Sequence, residues 1–143
     1  MTTFETETTI SAAPEVIWKL LTDAPGYTSW NTTVDRVEGR IEPGEKIKVH
    51  VKINPGKAFP VRVREFVPSE RMVWTGGMPF GLFKGVRTYT LTRTGDDTRF
   101  AMREVYSGLL APLIGRSIPD LQPAFDEFAS ALKQRAESGQ GTP

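Results

Sequence analysis

Cysteine is absent from the 143-residue chain, and histidine occurs once. The first absence removes disulfides, thiol nucleophiles and cysteine-ligated zinc. The second leaves too few imidazoles for a His-rich metal site or a histidine-based triad. Charge of one sign is lacking as well, because 18 Lys and Arg stand against 17 Asp and Glu. Without a basic field, neither nucleic acid nor an anionic membrane surface is an expected partner. No apolar run approaches the roughly 20 residues that span a bilayer, and the opening MTTFETETTISAAP is polar and acidic, without the apolar core of a secretion signal. The expectation is a cytoplasmic protein with no metal and no cofactor. Its length suits one domain over residues 1–138, large enough to bury a core without disulfides, with a flexible tail over 139–143.

What is present alternates first with the period of a strand. In FETETTI, Phe4, Thr6, Thr8 and Ile10 share one face, and Glu5, Glu7 and Thr9 share a wet one that suits a sheet edge. PEVIWKLLTD then sets Val16, Ile17, Leu20 and Leu21 at helical spacing behind Pro14, a good first helical residue. APGYTSWN predicts a second short helix or tight turn packed by Tyr27 and Trp30, with Asn31 satisfying its own backbone. In EKIKVHVKIN, Ile47, Val49, Val51 and Ile53 face inward, and the lysines and His50 face solvent. Turns at Pro43–Gly44, Pro55–Gly56 and Pro68–Ser69 divide residues 33–108 into a six-stranded antiparallel meander. The last third returns to helix, with Ile118, Leu121, Phe125, Phe128 and Leu132 in one apolar stripe. Asp120 as N-cap places Pro123 where its missing N–H does no harm, so a break is expected between Arg116 and Pro123 and a main helix to about Ala136.

The hairpin VRTYTLTRTGDDTRFAMREVYSG puts two charges on an apolar face. With Gly95 and Asp96 as a two-residue turn, Leu91 meets Phe100, Tyr89 meets Met102, and Arg87 meets Glu104. Such a pair either fixes strand register or serves as the polar anchor of an otherwise apolar pocket. Tyr106 follows Glu104 on the same face with a phenol that wants a partner, and Trp74 lies on a matching strand face, either packing or lining the cavity.

The spacing of ISAAPEVIWKLLTDAPGYTSWN, the EPGEKIKV turn, MVWTGGMPFGLFKGVRTYTLT and EVYSGLLAPLIG together resemble the START-like, or SRPBCC, superfamily, in particular its polyketide cyclase/dehydrase and lipid-transport branch. The resemblance implies an α+β helix-grip fold, a curved seven-stranded antiparallel sheet wrapped around a long C-terminal helix, with two short helices after the first strand. It also implies a cavity between sheet and helix. Residues expected to line it are Val51, Trp74, Arg87, Tyr89, Met102, Glu104, Tyr106, Phe125 and Phe128. A portal is expected from MPFGLFKG, with Phe80, Leu82 and Phe83, and from GLLAPLIG, with Leu109 and Leu113; alternatively these segments pack on each other and close the core. Proteins of this branch often carry another polar residue at the position of Arg87, so its role does not follow from the resemblance.

These residues point first to a carrier or ligand-binding protein for a medium-sized hydrophobic or aromatic molecule with one polar group. The alternative is a cyclase/dehydrase-like enzyme using Glu104 or Tyr106 as acid or base, although Arg87 beside Glu104 would keep that carboxylate ionised and weakly basic. A protein-binding module acting through its outer surface is the third possibility, without a surface patch in the sequence to argue for it. Monomer and dimer both remain open.

Overall fold

A computed structural model describes residues 2–52, 56–115 and 119–140. The elements are β1 (Thr2–Ile10), α1 (Pro14–Thr22), a 3-10 turn (Pro25–Ser29), β2 (Val34–Glu38), β3 (Lys46–Val51), β4 (Ala58–Val67), β5 (Arg71–Met78), β6 (Phe83–Thr94), β7 (Asp97–Ser107), α2 (Ala111–Gly115) and α3 (Gln122–Gln140). The strands form one curled antiparallel sheet in the order β1-β7-β6-β5-β4-β3-β2. Six of them follow the chain as a meander, and β1 returns to pair with β7. Strand alternation sets the faces: Phe4, Thr6 and Thr8 of β1 are half-buried and Ile10 is buried, whereas Glu5, Glu7 and Thr9 are exposed.

Alternation alone fails in β4. Val63 pairs with Trp74 and Phe66 with Met72, so two residues, Arg64 and Glu65, oppose the single Val73. This bulge resets the parity. Without it Glu65 would follow Val63 inward; with it Phe66 turns in and packs its ring edge-on against Trp18 of α1, 5.1 Å between centroids.

The β6–β7 turn has the expected form. Thr94 pairs with Asp97, and of the two turn residues only Gly95 has positive φ, at 68°, as a Gly-first turn requires. On the β2–β3 hairpin the expectation for His50 needs correction. It lies on the outer face, but its ring is only 20% exposed and sits 2.8 Å from the Glu38 carboxylate. Its hydrogen bond lowers the Glu38 pKa. The parity argument saw the flanking lysines and not the glutamate across the hairpin. Ile53, Ile118 and the Arg116 end of the expected break lie outside the described residues.

Helix α3 supplies the other wall of the core through Phe125, Phe128, Ala129, Leu132 and Ala136, all buried. Its start is as expected: Gln122 N donates to Asp120 Oδ1 at 3.1 Å, and Pro123 falls in the first turn. Its end is not, since the helix continues past Ala136 to Gln140. A glycine within a helix costs only about 1 kcal/mol relative to alanine, too little to stop an established helix at Gly139. Polar side chains fasten α3 along the free edge of β1. Gln122 Nε2 donates to Glu5 O at 2.8 Å, Lys133 Nζ to Thr9 O at 2.5 Å, and Glu137 accepts from Ser11 N at 2.8 Å. These bonds answer two edge carbonyls that would otherwise invite another strand, and the backbone amide just beyond the strand.

Phe128 touches the rings of Trp30, Tyr89 and Phe100, so it joins the helix to both the sheet and the 3-10 segment. Phe128→Ala is expected to destabilise the fold by about 3 to 5 kcal/mol. Urea denaturation is the check: the midpoint should fall at unchanged slope, and an unmoved midpoint would mean that this ring is not a core contact.

Candidate functional site

The concave face carries its chemistry in a short belt across β5, β6 and β7. Trp74 pairs with Arg87, and Arg87 with Glu104, whose partner on β1 is Phe4. Arg87 Nε and Nη2 both donate to Glu104 Oε1, at 3.1 and 2.7 Å. The bond is therefore not the two-on-two fork, and the pair has further neighbours: the Tyr89 hydroxyl lies within hydrogen-bonding reach of the guanidinium, and the Tyr106 hydroxyl within that of the Glu104 carboxylate. The side chains are 25% and 14% exposed, so solvent reaches the pair. Burial works against the Arg87 charge, but Glu104 beside it more than compensates and holds the guanidinium pKa above its ordinary value.

Aromatic rings frame the pair. The Arg87 guanidinium lies 4.9 Å from the centre of the Phe125 ring, a cation–π distance. Phe125 in turn meets Phe4 at 5.9 Å, and Phe4 meets Tyr106 edge-on at 6.3 Å. Phe83 stacks on Tyr106 at 5.6 Å. This arrangement depends on a glycine. Gly85 is the register partner of Tyr106, and a Cβ there would stand 3.1 Å from the Tyr106 ring. Glycine inside a strand at an inward position is a sequence signal of such close approach; together with Phe4 it was the part of this frame that parity reasoning left unassigned.

Beyond the belt the face is filled. Trp74 and Tyr89 meet edge-on at 5.0 Å, Tyr89 and Phe128 at 6.1 Å, and Tyr27 stacks toward Trp74 at 6.4 Å. Met102, the register partner of Tyr89, is 1% exposed. The deep end of the expected cavity is thus occupied by side chains. Two surface grooves lie elsewhere. One of about 600 Å³ runs past Pro14, Ser69, Leu91 and Arg93, and another of about 410 Å³ runs past Glu5, Glu7, Met102 and Asp126; neither is lined by Arg87 or Glu104.

The structure therefore brings together Trp74, Arg87, Tyr89, Met102, Glu104, Tyr106, Phe125, Phe128 and Phe83. Phe83 begins β6 instead of belonging to the preceding loop. Val51 does not join them: it sits half-buried on β3, three strands from β6, roughly 14 Å at ordinary strand spacing. Leu109 and Leu113 are 80% and 67% exposed, and Phe80 is 93% exposed. Their loops are joined, with Leu109 N donating to Gly81 O at 3.1 Å and Leu110 N to Leu82 O at 2.7 Å. Asn31 makes its turn as expected, accepting from the Thr33 amide at 2.9 Å. Among the described residues no three His, Asp or Glu side chains are grouped to hold a metal ion, and no helix is long and apolar enough to cross a membrane.

A curled antiparallel sheet gripping a C-terminal helix, with a polar belt under aromatic cover, defines a protein of the helix-grip class. The chain belongs to the polyketide cyclase / dehydrase and lipid transport family, whose model matches residues 1–137. Solved structures agree on the fold. Protein MLL2253 from Mesorhizobium loti superposes with a TM-score of 0.75 at 22% identity, over 99% of this chain and 100% of that one. The Aha1 dimer from Colwellia psychrerythraea gives 0.74 at 20% identity, over 99% and 100%. The di-domain ARO/CYC StfQ of the steffimycin biosynthetic pathway gives 0.73 at 16%, over 98% of this chain and 52% of that one. No curated protein matches the sequence.

The chain's three tyrosines all lie in this region, and each is harder to ionise than usual. Burial raises Tyr27 well above its ordinary value, and the nearby Tyr89 adds to it. Burial lifts Tyr89 to about 12 against the opposing pull of Arg87, and lifts Tyr106 with help from the Glu104 charge. A folded-state pKa above the unfolded value of about 10 favours the fold below that pH, and the advantage is lost as pH rises through 10 and beyond. Titration followed by tyrosinate absorbance should show no ionisation near pH 10 while the circular dichroism stays native, and ionisation together with unfolding at higher pH. A tyrosine titrating near 10 in the folded protein would contradict this.

Proposed function

We propose that the protein binds a medium-sized hydrophobic or aromatic molecule on the concave face and holds its polar group at the Arg87–Glu104 pair. The observation that carries this reading is a charged pair on the inward face in a solvent-reached, aromatic-framed position. A strut meant only to set register needs no access to solvent. Here the inward charge is a quarter exposed, and Phe4, Phe83, Tyr106 and Phe125 surround it. Mostly apolar walls with a few placed polar groups are the usual composition of small-molecule sites. The family description, with its cyclases, dehydrases and lipid transporters, fits a hydrophobic ligand.

Binding without chemistry is favoured over acid–base catalysis. Tyr106 keeps its proton at neutral pH because burial and Glu104 oppose its ionisation, so it serves as a hydrogen-bond donor and not as a base. Glu104 Oε1 already accepts two bonds from the Arg87 guanidinium, so that oxygen is engaged by a cation instead of facing a substrate proton.

The test is the double variant Arg87→Met with Glu104→Gln, which removes both charges at similar volume and leaves neither partner unpaired. It should fold. Its affinity for an oxygen-bearing aromatic probe should fall by about 1.5 to 3 kcal/mol relative to the parent hydrocarbon, roughly ten- to a hundredfold in Kd by fluorescence titration. A folded double variant with unchanged preference would reduce the pair to a register device.

A further inference from the structure

The outer face of the sheet is charge-matched at one end and basic at the other. On β1 and β7, Glu5 stands across from Arg103 and pairs with it at 3.6 Å, and Glu7 holds Arg99 at 2.6 Å. Toward the middle, Glu65 of β4 holds Arg71 of β5 at 2.7 Å. On the outer positions of β3 and β4 the matching stops. Lys46 stands directly across from Arg62, cation against cation, with Lys48 two residues further along β3. Like charges at facing positions of a ladder destabilise it.

Arg64 joins them. Its Nε donates to Thr75 Oγ1 at 3.2 Å, and Thr75 is the register partner of Arg62, so the bulge leaves Arg64 on this face. Arg62 Nη1 donates to Gly44 O at 2.8 Å. Both acceptors are neutral oxygens, which position the guanidinium groups without cancelling their charge. Among the described residues none of the four cations forms an ion pair. Glu38 lies opposite Lys48 in register, but its carboxylate is 2.8 Å from His50 and 3.6 Å from Arg36. Glu42 and Glu45, in the turn before β3, are exposed and stay apart from the four as well. At ordinary strand spacing the four charges share a patch roughly 10 Å across. The overall balance of 18 cations against 17 acids conceals it, because its members come from two strands that meet only in the fold.

We infer that the outer face of β3 and β4 docks an acidic segment of a partner protein, on the opposite side of the sheet from the ligand face. Clustered carboxylates would supply the counter-charge that β1 and β4 supply to their neighbours elsewhere on this face. Nucleic acid suits it less. The residues set across from these cations include Pro60 and Thr75, and no exposed aromatic ring stands among them for bases to stack on. An anionic bilayer suits it less too, since Phe80, Leu109 and Leu113, the most exposed large apolar side chains, belong to other segments.

Fluorescein-labelled poly-L-glutamate is the probe, titrated by anisotropy at low salt against the full-length protein and two double variants that each lose two positive charges. Lys46→Gln with Lys48→Gln should weaken binding about three- to tenfold. Lys19→Gln with Arg135→Gln, which removes the same charge from two helices, should leave it nearly level. Lys46→Gln alone should also raise the urea midpoint at low salt, with the gain fading as salt rises, because it relieves the opposition to Arg62. A lowered midpoint would make Lys46 a residue kept for the fold and count against the inference. Equal weakening in both double variants would reduce the binding to net charge and overturn it. So would tighter binding of charge-matched oligothymidine or phosphatidylserine vesicles than of polyglutamate, or no binding of polyglutamate at all. None of these outcomes touches the ligand reading, which concerns the other face.

Discussion

A two-residue turn governs much of this molecule. Because Gly95 takes the positive φ that Asp96 then need not, β6 and β7 pair without a slip from Thr94–Asp97 to Lys84–Ser107. One residue of slippage would send Arg87 and Glu104 to the convex face and bring threonines and arginines inside. The belt, its aromatic cover and the seat of Phe128 all inherit that register. The bulge in β4 does comparable work on the far side of the sheet, turning Phe66 onto Trp18.

Register was legible because period-two alternation and a short glycine turn are both local signals. Counting back from Gly95 places Arg87 against Glu104, and the stripe of Phe125, Phe128 and Leu132 marks the helix face that meets them. The bulge was not legible: Arg64 and Glu65 look like any two exposed residues, and only Met72 and Trp74 across the ladder reveal the extra one. The pairing of His50 with Glu38 was hidden for the same reason, since a hairpin contact depends on a partner twelve residues away. The helix end was misjudged too, because the apolar stripe ends at Leu132 and polar residues beyond it continue the helix without leaving a periodic signal.

The site divides along the same line. Which residues face inward follows from parity. Which hydrogen bonds they make does not, because that depends on side-chain reach across strands. The single-oxygen grip of Arg87 on Glu104, the exposure of the pair, and the nearness of two tyrosine hydroxyls to it are properties of three dimensions alone. Leu109 and Leu113, apolar and close in sequence to β7, stand outside this group, exposed on their own loop and helix.

The union of the first strand with the last strand and the last helix has a consequence for how the chain is made. β1 pairs with β7, and its outer edge is fastened to α3, so both partners lie about a hundred residues downstream of it. β2 to β7 close as successive local hairpins, whereas the first strand must wait, an alternating segment with nothing to lie against, until β7 and α3 have emerged. Contacts so distant in sequence are slow to form, and an unpaired strand is vulnerable to foreign partners meanwhile. The glutamates at positions 5 and 7, bound by Arg103 and Arg99 in the finished sheet, carry during that interval the charge that keeps nascent chains apart.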